Sequence, residues 1–483
     1  MSDTVPAAAQ GASRPSAREP RFGLHLHPNL AAALFLALAA AAVLTTAVFP
    51  AFDPLNQAAL WGLVLLVSFA GWGDLIGRLA LPEQRADLGV RLAWGMAAVI
   101  ALGGVACVAS LATRPVLLGV IVAGIALQYR ALRRGVGRDA LAPRRPAVTT
   151  LLLALVALLA GVQYYGGATG PALTPNDDWA VYLVYPEKIL ATGTLLEPFS
   201  VRRLAAYGGQ SLLHALTLIG TADVLQVPLP NGGSYLATVP NVLQVPLLDM
   251  GICLVVVLAL VIGERGRARP GLWLLPVLLV LTMPNIRTNS TSLMSGVVFF
   301  LALFRPASAP ACAARPRRGA AVLGLLAAAG ATLRQSYIIP AAAFLAILYA
   351  PAVVGALRVR GAARWTRLAE LAIAPAAMLL VLLPWMLLSY RSSGTALFPL
   401  FDGNYRPEYG RLTSGNPSID RGAFLWLNIR HCYPVRSVPL FLLAALLIPW
   451  RHTRGALPAL TYAALLGFLA VVWAFPLSDP RSI

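Results

Sequence analysis

Residues 371–388 read LAIAPAAMLLVLLPWMLL, a run without one ionisable side chain, with Glu370 immediately before it and Arg391 shortly after it. A helix rises about 1.5 Å per residue and the hydrocarbon core of a bilayer is roughly 30 Å thick, so a run of this length crosses a membrane. The same reading recurs along the chain. Apolar runs at 30–49, 57–76, 92–112, 115–129, 148–165, 241–263, 271–284, 291–304, 320–333, 337–356, 369–388, 437–450 and 456–474 give about thirteen transmembrane helices. The fold class expected is all-α: a polytopic integral membrane protein with a large first exoplasmic loop. The composition agrees, since 58% of the 483 residues are hydrophobic and 12% charged, far from the balance of a soluble domain.

The runs 271–284, 291–304 and 320–333 are short, and they meet polar turns at Asn285-Ile286-Arg287 and Arg334-Gln335-Ser336. Short or broken spans are tolerated where they line a cavity inside the protein rather than face lipid. Asn285, Arg287 and Asn289 could line such a pocket or cap their helices.

A net charge of +19, from 38 basic and 19 acidic residues, would suggest a nucleic-acid partner in a soluble protein. Its distribution argues otherwise. With residues 1–29 on the cytoplasmic side, Arg14, Arg18 and Arg21 fall there, as do Arg78, Arg85 and Arg91 and the group from Arg130 to Arg145. Arg265, Arg267 and Arg269, the cluster Arg315, Arg317 and Arg318, the group from Arg358 to Arg367, and Arg451 and Arg454 follow them. Most of the basic excess therefore reports orientation, by the tendency of cytoplasmic loops to hold Arg and Lys. No nucleic-acid partner is expected. Lys188 is the single lysine in a chain rich in Ala, Leu, Gly, Pro and Arg, a bias typical of GC-rich bacterial genomes. The expected location is a bacterial inner (plasma) membrane, multi-pass, with the N-terminus cytoplasmic and the C-terminus exoplasmic.

Three regions are expected: a disordered cytoplasmic tail at 1–29, a four-span extension at 30–147, and a transmembrane core at 148–483. The tail is rich in Ala, Ser, Pro and Arg and has too little apolar content to pack. No cleavable signal peptide is visible, because the first apolar run is long enough to span. Cys107 and Cys253 fall in spans, Cys312 on the cytoplasmic side and Cys432 outside, so neither a disulfide nor a thiolate metal site is expected. Leu225-Gln226-Val227-Pro228-Leu229 recurs as Leu243-Gln244-Val245-Pro246-Leu247; two Pro-bounded loop turns are the expectation, since the copy is too short to mark a repeat architecture.

Two exoplasmic segments, 166–240 and 389–436, are too long to be connectors, and long loops on a helical scaffold commonly carry chemistry. In the first, Pro175 excludes helix before it, Asn176 or Asp177 can cap, and Gly193 can terminate, which predicts an interfacial helix over 178–192. Trp179, Tyr182 and Tyr185 with Leu183, Ile189 and Leu190 suit a membrane interface. A second helix is expected over 201–219, carrying Arg202, Arg203, Gln210 and His214. Capping and macrodipole compensation explain many Asp-Asp pairs. Here the pair Asp177-Asp178 lies in the largest exoplasmic loop and is followed by Lys188, Arg202 and Arg203. A carboxylate can take a proton from an acceptor hydroxyl, and arginines can hold a phosphate leaving group bidentately. Neighbouring aspartates on a helix diverge by about 100°, which suits them poorly to chelating one metal together. No Walker-type loop, dinucleotide fingerprint or HExxH is present, so no cofactor is expected, although a divalent metal stays open. His214 reads as an acid, base or acceptor contact, or as a satisfied structural histidine.

Asp177-Asp178 followed by Tyr182, a helix and Gly193, directly after a span and opening a long exoplasmic loop, resembles the first exoplasmic loop of C-type (GT-C) glycosyltransferases. These polytopic enzymes include the protein O-mannosyltransferases and the aminoarabinose lipid A transferases. Arg334 within Ala331-Thr332-Leu333-Arg334-Gln335-Ser336 is similar to an arginine-bearing turn of that superfamily; as an isolated residue it would also read as a snorkelling interfacial arginine. Pro384-Trp385, Tyr390-Arg391-Ser392-Ser393-Gly394 and Asp479-Pro480-Arg481 resemble stretches of uncharacterised bacterial membrane proteins of this type. The resemblance covers 148–483. It departs from the superfamily in that about four spans, rather than one, precede the acidic loop. It implies Asp177 as catalytic base with Asp178 in support, and Lys188, Arg202, Arg203, Arg334, Arg391, Tyr182, Gln210 and His214 as substrate or phosphate ligands. The implied donor is a polyprenyl-phosphate-linked sugar, and the acceptor a glycan, lipid or protein reached from the membrane.

Two other classes would use similar features. A transporter or flippase of lipid-linked sugars needs ionisable groups at membrane depth, and Asp74, Asp249 and Glu370 stand near span ends. A polysaccharide polymerase or ligase is marked by arginine-rich exoplasmic loops rather than an early acidic pair.

Overall fold

The computed structural model describes residues 53–80, 86–133, 184–196, 207–220, 223–228, 234–239, 247–262, 293–308, 316–334, 337–359, 361–394 and 396. Three helices come first: α1 (Asp53–Ala80), α2 (Leu88–Val108) and α3 (Arg114–Arg133). Two short ones follow, α4 (Val184–Thr192) and α5 (Gly209–Ile219), then strands β1 (Asp223–Pro228) and β2 (Ser234–Val239). A π-helical segment, Leu247–Cys253, runs into α6 (Leu254–Ile262). The remaining helices are α7 (Leu293–Ser308), α8 (Pro316–Leu333), α9 (Ile338–Arg358) and α10 (Ala362–Ser393).

Among the described residues, five helices are long and apolar enough to cross a membrane, within α1, α2, α3, α9 and α10. They correspond to the runs expected at 57–76, 92–112, 115–129, 337–356 and 369–388. The runs at 30–49, 148–165, 271–284, 437–450 and 456–474 lie outside the described residues. The run at 320–333 belongs to a longer helix than its apolar core suggested, since α8 begins at Pro316 and spans 18 residues. Its first turn carries Arg317 and Arg318, whose charge hides the helical start from a hydropathy reading. Pro316 suits a first helical position, where no intrahelical donor is needed.

The hairpin modifies the all-helical expectation. β1 and β2 pair antiparallel from Asp223 opposite Val239 to Pro228 opposite Ser234. Leu225 to Pro228 therefore lie on a strand and not in a loop turn. The intervening Leu229-Pro230-Asn231-Gly232-Gly233 is built of turn formers, and the flanks are rich in Val, Leu and Thr, the residue types that favour a hairpin. Leu247, which closes the second copy of that pentapeptide, opens the π-helical segment instead.

The helices run alternately between two ends of one bundle. At the first end, Arg305 of α7 pairs with Asp87, which also caps α2 by accepting from the Val90 N–H at 2.9 Å. Arg317 of α8 pairs there with Glu370 of α10 at 3.0 Å, and Arg318 shares a groove with Ile76, Leu79 and Ala80 of α1. Asp74 is buried and holds Arg78 at 2.7 Å. At the opposite end, Thr194 donates to the Cys107 carbonyl at 2.8 Å and the Ala112 N–H donates to the Gly193 carbonyl at 3.0 Å. Between the ends, the core joins α2 to α6, α7, α8 and α10 through buried Trp94, Met96, Ile100, Val256, Phe299, Leu326 and Trp385. Interiors of this kind rely on close packing and small residues rather than a hydrophobic drive. At Gly95 the α1 backbone passes so near that a Cβ would stand 1.8 Å from the Phe69 carbonyl oxygen. Pro375 and Pro384 lie inside α10 and Pro351 inside α9, as membrane helices tolerate.

Candidate functional site

The expected site residues divide into two groups. Asp177, Asp178, Tyr182, Arg202 and Arg203 lie outside the described residues. Lys188, Gln210, His214, Arg334 and Arg391 are described, all at the end of the bundle opposite the Asp87–Arg305 and Arg317–Glu370 pairs.

Lys188 is carried by α4, which stops where expected. Gly193 adopts φ +72 and its N–H returns to the Ile189 carbonyl at 2.8 Å, an ending that glycine meets without steric cost. Thr194 then anchors the chain to α2 through Cys107. Burial holds the Glu187 carboxyl above its usual range and Lys188 below its own. The expected start of this helix, 178–183, lies outside the described residues.

The second expected helix starts later than predicted. α5 begins at Gly209, and Tyr207 and Gly208 are not helical. The reason is tertiary. Gly208 takes φ +129 against Leu195 and Trp385, a backbone state closed to most residues, and it breaks any helix from the preceding segment. Tyr207 is buried and donates to the Ala396 carbonyl, while Ser392 donates to the Leu195 carbonyl at 3.3 Å. The two long segments predicted at 166–240 and 389–436 therefore touch at their described edges.

Every described residue of α5 before Gly220 is buried, so its polar side chains must satisfy one another. The Gln210 amide donates to Asp249 Oδ2 at 3.1 Å and lies 3.3 Å from His214 Nε2, and Gln210 Oε1 accepts from Ser295 Oγ at 2.7 Å. The Ser295 N–H closes the ring by donating to Asp249 Oδ1 at 3.2 Å. A glutamine whose oxygen takes the serine proton must turn its nitrogen to the carboxylate, and that same nitrogen faces His214 Nε2. Thr332, near the end of α8, seats against Gly209, where a Cβ would come within 2.1 Å of its hydroxyl. Two residues further on, the half-buried Arg334 acts electrostatically on Asp249.

The structure thus gathers Gln210, His214 and Arg334 and adds Asp249, Ser295 and Thr332 to them. The hydrogen bonds that tie this ring do not run through Lys188 or through Arg391, which is exposed on the last turn of α10. Asp249 was visible in the sequence only as a lone acid near the start of an apolar run. Ser295 and Thr332 gave no signal, because hydroxyls inside apolar helices usually bond their own backbone. Among the described residues, no three His, Cys, Asp or Glu side chains gather as a metal site.

These features define a helical protein with several helices able to cross a membrane and a buried polar ring at one end. No family model, curated protein or solved structure matches the chain.

Proposed function

We propose that the chain is a membrane glycosyltransferase of the GT-C type, which moves a sugar from a polyprenyl-phosphate donor to an exoplasmic acceptor. The observation that supports it best is the gathering of Gln210, His214 and Arg334 with Asp249 at the end of the bundle where α4 and α5, both from the acidic loop, are seated. The arginine-rich loops at the opposite end are consistent with that other end being cytoplasmic.

In this reading Asp177 accepts the proton of the acceptor hydroxyl as its oxygen bonds to the anomeric carbon. The carbon–oxygen bond to phosphate breaks with inversion, and the electron pair leaves on the polyprenyl phosphate. Asp178 supports the geometry at the acceptor. Arg334, with Arg202, Arg203, Lys188 or Arg391, neutralises the leaving phosphate, an interaction that strengthens as charge develops. Asp177→Asn in membranes supplied with labelled lipid-linked sugar should abolish transfer, and full activity in that variant would remove Asp177 from the role.

One observation favours a second reading. Asp249 is a buried acid within an apolar helical run, and ionisable groups at membrane depth commonly mark transport paths. A flippase would move a fluorescent lipid-linked sugar across reconstituted vesicles without any acceptor; a transferase would not.

A further inference from the structure

At the end of the bundle that holds the Asp87–Arg305 and Arg317–Glu370 pairs, α1 and α8 approach without closing on each other. Ile76, Leu79 and Ala80 of α1 face Arg318, Ala321 and Leu325 of α8 across an open groove of about 260 Å³. Each set falls at helical spacing on one face of its helix, and the short side chains of Ala80 and Ala321 leave the space between them. The membrane-crossing stretch of α1 ends at Ala80, so the mouth of the groove lies at headgroup level. With a rise of about 1.5 Å per residue, Leu325 lies about 10 Å deeper than Arg318. Water has little to hold it there, since an ordered water needs several polar partners and the walls are apolar apart from Arg318. Leu79 is 65% exposed, and hydrocarbon is what such a surface meets at that depth. The charge is what selects among lipids. Arg78, Arg305 and Arg317 at the same end each have a carboxylate partner, in Asp74, Asp87 and Glu370. Among the described residues no carboxylate pairs with Arg318, which is exposed in the first turn of α8, where the macrodipole disfavours a cation.

We propose that this groove binds an anionic phospholipid, with the lipid phosphate on Arg318 and the upper part of an acyl chain between Leu79, Ala321 and Leu325. The guanidinium fork matches a phosphate bidentately, and the negative headgroup supplies the counter-charge that the protein gives to Arg78, Arg305 and Arg317 but not to Arg318. The acyl chain fills the space that the two alanines leave, restoring contacts that an empty gap between α1 and α8 would forfeit. Such a site depends on α1 crossing a membrane and would stand in a chain that transfers no sugar.

The test uses the full chain, purified in detergent and stripped of lipid, with dioleoyl phosphatidylglycerol as probe and dioleoyl phosphatidylcholine, which has the same chains and no net charge, as comparison. Affinity is read by lipid-induced thermal shift, alongside the oligomeric state by light scattering. Wild type should bind phosphatidylglycerol about fivefold more tightly than phosphatidylcholine, the worth of one basic side chain at an anionic surface. Arg318→Gln should abolish that preference and leave phosphatidylcholine binding unchanged, whereas Arg318→Lys should keep most of it. Ala321→Leu, which fills the groove, should weaken both lipids by about fourfold for each methylene displaced. If that variant does not accumulate, the two Arg318 variants decide the matter, since their side chain is exposed. Arg358→Gln, an exposed arginine on the last turn of α9 and away from the groove, should bind as wild type does. Equal binding of the two lipids by wild type would overturn the proposal, as would an undiminished preference in Arg318→Gln. An equal loss in Arg358→Gln would also overturn it, by showing a general effect of charge. A lipid-free wild-type dimer that Ala321→Leu converts to monomer would give the groove to a second copy of the chain instead.

Discussion

Gly95→Ala places the helix packing under direct test. A Cβ built there stands 1.8 Å from the Phe69 carbonyl oxygen and 2.5 Å from its carbonyl carbon, and both belong to the α1 backbone. Carbon and carbonyl oxygen ordinarily meet at roughly 3.3 Å, so α1 and α2 would have to part by about 1.5 Å. A gap of about 0.5–1 Å already forfeits a quarter to a half of each contact's attraction. The residues that would lose contact include Leu65, Phe69, Trp94 and Met96, all at most 1% exposed. Overpacking of this kind costs about 3 kcal/mol, and alanine's better helix propensity returns about 1 kcal/mol, for a net loss of about 2 kcal/mol. The melting temperature of the detergent-solubilised chain should fall by about 2 °C, because the unfolding entropy grows with chain length. Gly119→Ala is the matched control, because nothing lies within 4 Å of the added methyl, and it should melt with the wild type or above it. Equal melting of Gly95→Ala and wild type would refute the close approach of α1 and α2, and an equal loss in both variants would refute the reasoning from contact distance.

Asp87 does two things, capping α2 and pairing with Arg305, so Asp87→Ala should cost about 1–2 kcal/mol while Asp87→Ser, which keeps a capping oxygen, should cost less than about 1 kcal/mol; chemical denaturation of the solubilised chain reads both. Thr194→Val keeps the shape but removes the hydrogen bond to the Cys107 carbonyl, and should lower stability by about 1 kcal/mol while loosening the segment after α4, read as faster proteolysis near Leu195. Cys107 and Cys253 are buried and should react with a maleimide only after denaturation, whereas with the proposed orientation Cys312 should label from the cytoplasmic side and Cys432 from the outside of intact cells. Labelling of Cys432 from the cytoplasm would reverse the assignment of the two faces.

Much of the helical framework was legible because a span is a local property. The run at 371–388 needs no partner to be read, since any continuous apolar stretch of that length must satisfy its backbone internally to sit in lipid. Gly193 was legible for the same reason, as a helix end is a matter of one backbone conformation. The Arg317–Glu370 pair was half legible: both residues flank apolar runs assigned to one side, but their contact joins helices 53 positions apart. The hairpin was missed because its strands carry Pro and Gln among their apolar residues, a mixture that also reads as loop. The break at Gly208 was missed because it answers to Trp385 and Leu195, which are remote in sequence.

The amino-acid sequence by itself determined that the chain is apolar enough for a membrane, where several of its spans run and which ends collect arginine, because transfer to lipid and the distribution of charge are summed residue by residue. It also singled out Gln210, His214 and Arg334 without showing that they meet. Only the tertiary structure decided that Asp249 and Ser295 join them, since a hydrogen bond of about 3 Å between residues 39 and 85 positions apart depends on how α5, α7 and the π-helical segment are packed, and no local pattern encodes that distance.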